Sequence, residues 1–232
     1  MFNKYTFGQP SVSQLIEGRP VEYVDLIIIP GGDLDGINHF ASLLPVNVPI
    51  ILTGNHNIMD SEAEIPESHI AKKHLLWLSN NSSSRFGSNY AIDEKNILLE
   101  DKSVDQLSAA YFVKDYIEQI LSGSNQKTIG VVTDPANMKT FSKCLEWNLN
   151  EDISFKPFFS SAFAPLKDRL YASLLTTVWG LDLSSYPIKP VGVEEYMQTK
   201  HPYFAKNPKH SNYGLLVKSS KHVQSFKNSL SK

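Results

Sequence analysis

The chain has a single cysteine, Cys144. No intramolecular disulfide can form, so a reducing compartment is expected. Cys144 itself reads as a small buried residue on a helix rather than as a nucleophile. No apolar h-region follows Met1-Phe2-Asn3-Lys4-Tyr5, and no later apolar run is long enough to span a bilayer. The expectation is a cytoplasmic protein with no membrane partner. An excess of either charge is also missing: 22 Lys and Arg stand against 24 Asp and Glu, a net charge of −2. A nucleic-acid binder would be expected to carry a basic stripe, so nucleic acid is not an expected partner. No internal repeat is visible, and the sequence assigns no oligomeric state.

Familiar chemical signatures are absent too. Gly31-Gly32-Asp33-Leu34-Asp35-Gly36 is not the GxGxxG dinucleotide fingerprint, and the chain has no GxxxxGK[ST] phosphate loop. A GxSxG nucleophile elbow is missing. His69 and His74, five apart, miss the helical spacing for a shared metal, and no Cys/His cluster has zinc spacing. No metal is assigned.

What is present is a regular alternation of apolar runs with helical patterns. The length suits one large domain or one domain with an appendage, and can bury a sizeable core. After a lead-in with a short helix over 11–17, residues 24–29 read as a strand buried on both faces, closing on Gly31-Gly32. Ile37, Phe40, Ala41 and Leu44 mark a helix that Pro45 ends. Residues 48–53 form the next strand, stopping at Gly54-Asn55. Pro66 starts a helix whose apolar side holds Ile70, His74, Trp77 and Leu78, with His74 read as a core histidine. A polar loop is expected over 80–89. Strand 96–100 leads into a long helix striped by Leu107, Ala110, Val113, Ile117, Ile120 and Leu121 and stopped near Gly123. Strand 127–133 precedes Asp134-Pro135, an N-cap and first turn, and a helix carrying Met138, Phe141, Leu145 and Trp147. A fifth strand over 153–159 and a helix over 166–178, with Leu170, Leu174 and Val178 inward, complete the pattern.

This alternation predicts an α/β, Rossmann-like, doubly wound and mainly parallel sheet of about five strands flanked by helices. The predicted domain is 1–183. From Ser184 the texture changes to prolines, lysines and aromatics, so 184–232 reads as a C-terminal extension. The favoured expectation is that its aromatics wrap it over the domain and its lysines stay solvated. The alternative is a docking arm for an anionic partner.

In such a fold the strand ends lie along one edge, where ligands bind. The first strand brings Gly31, Gly32 and Asp33. The second brings Thr53, Gly54 and Asn55, and a little later Glu62. The third brings Glu100, Ser103 and Asp105, and the fourth Thr133, Asp134, Asn137 and Lys139. Helix N-termini point at the same edge, and their free N–H groups favour an anion or a polar ligand. The carboxylates could hold magnesium with a phosphate, but aspartate is a routine cap and turn former, and for most of these acids taken singly the cap is the favoured reading.

Several of these pieces occur in one order: Asp25-Leu-Ile-Ile-Ile-Pro-Gly-Gly32, Thr53-Gly54-Asn55, Ser61-Glu62-Ala63, Glu100-Asp-Lys-Ser103-Val-Asp105 and Val131-Val-Thr-Asp-Pro-Ala-Asn-Met138-Lys139. Together they resemble the YdcF-like family, which includes SanA- and ElyC-type envelope proteins, over residues 24–180. The resemblance implies a Rossmann-like fold and a small polar ligand at the strand ends, S-adenosylmethionine or another nucleotide-like molecule. Without the anchor of the envelope members, the chain is similar to the soluble branch. It departs from the family at Asn55, where a second glycine is usual, and at Asn137 and Lys139, where a histidine and an arginine are usual. Asparagine cannot shuttle a proton as histidine does, and lysine lacks the planar fork of arginine. Binding of a small nucleotide-type ligand is therefore the leading expectation. The alternatives are a metal-assisted hydrolase or transferase using Asp33, Glu62, Glu100 and Asp134, and a non-enzymatic interaction protein using the C-terminal extension.

Overall fold

The computed structural model of the chain describes residues 24–31, 48–55, 65–86, 92–123, 127–149, 153–159 and 166–218. The expected helices over 11–17 and 37–44 lie outside these residues, as do Gly32, Asp33 and Glu62.

Strand β1 (Leu26–Ile29) is buried on every side chain. It is flanked by β2 (Ile50–Thr53) and β4 (Thr128–Thr133), with Ile27 opposite both Ile50 and Gly130. Strand β3 (Ile97–Glu100) adds to β2 and β5 (Ser154–Phe159) adds to β4. All four pairings are parallel and the order is β3-β2-β1-β4-β5. The chain thus builds outward from β1 to β3, then crosses back to place β4 on the other side of β1. Ligand crevices form at the carboxyl ends of sheets with such a reversal.

Helices cover both faces, which is why the central strands β1 and β2 are apolar almost throughout. Ile27, Ile29, Ile50, Leu52 and Val132 face α1 (Glu67–Phe86), which contributes Ala71 and Leu75. Leu26, Ile28, Ile51, Ile129 and Val131 face α2 (Gln106–Leu121) and α3 (Pro135–Asn148). The result is a Rossmann-like, doubly wound fold with an all-parallel sheet. No helix among the described residues is long and apolar enough to cross a membrane.

Two helices turn a different face inward from the one apolar spacing predicts. On α1 the buried residues are Ser68, Ala71, Leu75 and Ser79, while Ile70 and Trp77 are 44% and 61% exposed. Small residues let the helix lie close to the sheet. A side-chain hydrogen bond also fixes this face, Ser79 Oγ accepting from Ile92 N–H (2.7 Å), while the Ser68 backbone N–H donates to the Gly54 carbonyl (3.0 Å). His74 is half-buried and stacks on Trp77 instead of entering the core. The helix also runs through residues 80–86, where a loop is expected. Asn81 Nδ2 donates to the Trp77 carbonyl there, so this polar side chain returns its hydrogen bond to the helix.

On α4 (Leu166–Leu183) the inward set is Ala172, Leu175, Trp179 and Asp182, and Leu170 and Leu174 are exposed. Asp182 is the cause. Its carboxylate accepts from Asn212 N–H (2.9 Å), Asn212 Nδ2 (2.8 Å), Tyr213 N–H (3.2 Å) and Tyr196 Oη (3.3 Å). A count of apolar positions sets this acid outside, but partners 14 to 31 residues away bring it in.

Those partners belong to the C-terminal segment. Helix α5 (Val191–Thr199) and helical residues 212–218 pack on the α2–α3–α4 side. Val193, Tyr196, Met197 and Tyr213 join the main core cluster, while Lys206, Lys209 and Lys218 stay exposed.

Candidate functional site

The carboxyl ends of β1 and β2 meet through two glycines. Gly31 N–H donates to Thr53 Oγ1 at 3.2 Å. A Cβ on Gly31 would lie 2.6 Å from the Thr53 carbonyl oxygen and 3.0 Å from both Gly54 Cα and Glu67 Oε2. Gly54 has φ +119°, a conformation open to glycine and strained for other residues. Backbone therefore meets backbone here, with the Glu67 carboxylate beside both glycines.

The ladder continues past β2 into the loop after β3. Gly54 N–H donates to the Glu100 carbonyl (2.9 Å), and Asn55 N–H to that of Ser103 (2.7 Å). Glu100 is buried, and its Oε1 closes the loop by accepting from Lys102 N–H (2.7 Å) and Ser103 N–H (2.8 Å). Its Oε2 is buried with no hydrogen-bond partner among the described residues.

Asp105 caps α2 in a reciprocal box with Ser108. Its Oδ1 accepts from Ser108 N–H (2.8 Å), and Ser108 Oγ accepts from Asp105 N–H (3.1 Å). Its Oδ2 accepts from His201 Nε2 (3.1 Å) and Tyr213 Oη (2.8 Å). Burial by itself pushes the Asp105 carboxyl up. The attraction of His201 and the hydrogen bonds from His201, Ser108 and Tyr213 outweigh it and hold the group below the ordinary aspartate value. Burial, and next the Asp105 charge, push the Tyr213 phenol well up.

At the end of β4, Asp134 caps α3, accepting from Ala136 N–H (2.7 Å) and Asn137 N–H (3.1 Å). A side-chain relay leads back from it towards α2. Asn137 Nδ2 donates to Asp134 Oδ2, and Gln106 Nε2 donates to Asn137 Oδ1. A carboxylate only accepts, which sets the Asn137 amide and in turn the Gln106 amide. Gln106 Oε1 is the end of the relay and has no partner among the described residues.

Between these groups lies a cavity of about 190 Å³. Of the predicted site residues, Gly31, Thr53, Gly54, Ser103 and Asp105 line it. Glu67 and Gln106 line it as well and are additions made by the structure. The available signal for each was its place in the first turn after a helix start, Pro66 for Glu67 and Asp105 for Gln106. Asn55 and Glu100 lie outside the lining and brace the loop that forms it. Thr133 is buried at the end of β4, and Asp134 and Asn137 connect to the cavity through Gln106. Lys139 is exposed on α3 and is not among the lining residues. Gly32, Asp33 and Glu62 lie outside the described residues.

Among the described residues no group of three or more His, Cys, Asp or Glu side chains could hold a metal ion. Glu100 and Asp134 each direct one carboxylate oxygen at backbone N–H groups. Cys144 is fully buried on α3. Burial, and next the Asp105 charge, push its thiol well up, so it offers no thiolate.

No family model matches the chain, and neither a curated protein nor a solved structure matches it.

Proposed function

We propose that the chain binds a small nucleotide-type ligand at the carboxyl edge of the sheet, S-adenosylmethionine or another nucleotide-like molecule, without necessarily transforming it. The observation that carries this reading is the contact of Gly31 with Gly54. Two strand ends without side chains open a cavity where parallel α/β sheets take their ligands. Its volume, about 190 Å³, is below the roughly 300–1,000 Å³ of sites that enclose a drug-sized molecule. The described residues thus suit one moiety of such a ligand, a sugar or an amino-acid group. Thr53 and Ser103 supply hydroxyls. A reducing, cytoplasmic setting accords with the one buried thiol.

Binding over catalysis is supported by the groups left without reactive character. Cys144 is buried, and Asn137 stands in a structural relay. A thermal-shift panel of S-adenosylmethionine, its demethylated product and common nucleotides tests the reading. A ligand at a hundred times its dissociation constant stabilises the folded chain by about 2.7 kcal/mol. No shift with any of them at millimolar concentration would count decisively against this function.

A further inference from the structure

A second cavity, of about 240 Å³, lies at the C-terminal ends of α3 and α4, the opposite end of α3 from its cap Asp134. We infer that this cavity takes an aromatic side chain from an acidic peptide segment of a partner protein, at a site separate from the ligand-binding edge.

Its walls are aromatic and aliphatic. Trp147 comes from α3, Leu183 from α4, and Tyr186, Ile188 and Val193 from the turn into α5 and its start. The turn is fixed from within. A Cβ on Gly192 would lie 2.2 Å from the Pro187 carbonyl oxygen, so backbone meets backbone. Val193 N–H donates to the Pro190 carbonyl (3.0 Å), and Tyr186 Oη and Thr199 Oγ1 share a hydrogen bond (2.8 Å). Lys189 Nζ donates to the Glu146 carbonyl (2.7 Å) and ties the turn to the end of α3. The chain's own bonds thus hold the walls in place, which lowers the cost of binding.

Gly180 lines the cavity from the last turn of α4. A Cβ there would meet the Trp147 ring at an ordinary 3.8 Å, so packing does not demand a glycine. Glycine inside a helix is destabilising relative to alanine. Its presence leaves the indole open to the cavity. Ile188 is 87% exposed and Val191 60%, so apolar surface continues from the cavity onto the turn. Such a patch around an aromatic pocket marks a protein-binding site. The volume, below the roughly 300–1,000 Å³ that encloses a drug-sized molecule, suits a single side chain.

Charge sets the sign of the partner. The lining holds Lys189 and neither Asp nor Glu. Lys200 Nζ stands 5.0 Å from the Tyr186 ring centroid and donates to Ser185 Oγ (3.2 Å). Neither lysine pairs with a carboxylate among the described residues. An ammonium carries three donors, and the chain takes one from each of these. The Glu146 carboxylate accepts from Lys143 (2.9 Å). Helix-end carbonyls, which favour a cation, are engaged here: those of Leu181, Asp182 and Leu183 accept from Ser184 Oγ, Ser185 Oγ and Tyr186 N–H.

The experiment is an NMR titration of the full, isotope-labelled chain with acetylated, amidated pentapeptides. The first places phenylalanine between two pairs of glutamates. The second has alanine for the phenylalanine, and the third has lysines for the glutamates. Phenylacetate is the fourth ligand. The Trp147 indole and the Gly180 and Gly192 amides are expected to shift with the first peptide, which should bind at least about tenfold more tightly than the other three ligands. No shift of these groups at millimolar peptide overturns the inference, as does equal binding of the alanine or lysine peptide. Equal binding of phenylacetate assigns the cavity to a small acid and overturns the peptide partner. Gly180→Leu should fill the cavity and abolish binding while melting no lower than the wild type. Ile188→Ser, at an exposed position, should keep the wild-type melt and lose about threefold in affinity. Unchanged affinity in either folded variant overturns the site.

Discussion

Asp105 Oδ2 accepts a hydrogen bond from His201 Nε2 at 3.1 Å, joining two buried residues 96 positions apart in the chain. Asp105 lines the cavity and caps α2, whereas His201 lies in the C-terminal segment beyond α5. The wall of the site is therefore held by the last part of the fold. Tyr196, Phe204 and Tyr213 surround the histidine ring, with Phe204 nearest at 4.9 Å between centroids.

This pair makes stability sensitive to acid. The folded Asp105 carboxyl lies below its ordinary value. Its contribution is thus complete above the unfolded aspartate pKa and is lost as pH falls through the lower folded value. Urea unfolding between neutral pH and about pH 2.5 should show stability declining below about pH 4. Asp105→Asn should flatten this acid limb. Asp105→Ala, which strips the partners of His201, Tyr213 and Ser108, should cost about 3–5 kcal/mol at neutral pH. An Asp105→Asn variant with the wild-type acid slope would contradict the assignment.

A chain ending at residue 183 should lose its cooperative transition. Removing α5 and residues 200–218 takes Val193, Tyr196, Met197 and Tyr213 out of the main core cluster and strips Asp182 of its described partners. Losing this aromatic layer exposes the apolar side of α4 and α2, a large loss against the roughly 5–15 kcal/mol that holds a domain folded. Circular dichroism and a thermal melt of the truncated chain check this; a sharp melt would show that the segment is dispensable.

Helix α4 offers a contrast between two leucines five residues apart. Leu175 is buried and Leu170 is 63% exposed. Leu175→Ala should cost about 2–5 kcal/mol, and Leu170→Ser should stay within about 0.5 kcal/mol of the wild type. Denaturant midpoints of the two variants measure the difference, and equal costs would place the wrong face inward.

At the glycine contact, Gly31→Ala puts a methyl group 2.6 Å from the Thr53 carbonyl oxygen, where backbone has to move. A destabilisation of about 1–3 kcal/mol is expected, together with loss of whatever binds in the cavity. Gly123→Ala is the control, because a Cβ there meets nothing within 4 Å. Matching thermal melts for the two variants would show that the strand ends are looser than this contact implies.

The sheet was legible because parallel strands buried on both faces leave a short continuous apolar run, as at Leu26–Ile29 and Thr128–Thr133. The cap at Asp134 was legible because its hydrogen bonds reach only two or three residues along the chain. The inward faces of α1 and α4 were not. Ser79 and Asp182 are buried by partners at Ile92, Asn212 and Tyr213, which no local periodicity contains. The break in texture at Ser184 marked a real change in composition, yet the aromatics beyond it fill the core.

The site divides in the same way. Gly31, Thr53, Gly54, Ser103 and Asp105 could be gathered from sequence because every parallel strand delivers its carboxyl end to one edge. Glu67 and Gln106 could not, since a first-turn side chain reaches the cavity or solvent according to how its helix is rotated. The character of the edge was hidden as well. Sequence alone leaves helix N-termini as open donors; the folded chain closes those of α1 and α3 with the Asn55 and Gly54 carbonyls and with Asp134. Patterning thus determined the α/β layers and the edge at which the cavity opens, because those follow from local burial and chain direction. Tertiary contacts decided which faces turn inward and which first-turn side chains line the cavity, because bonds between distant residues set how each helix is rotated.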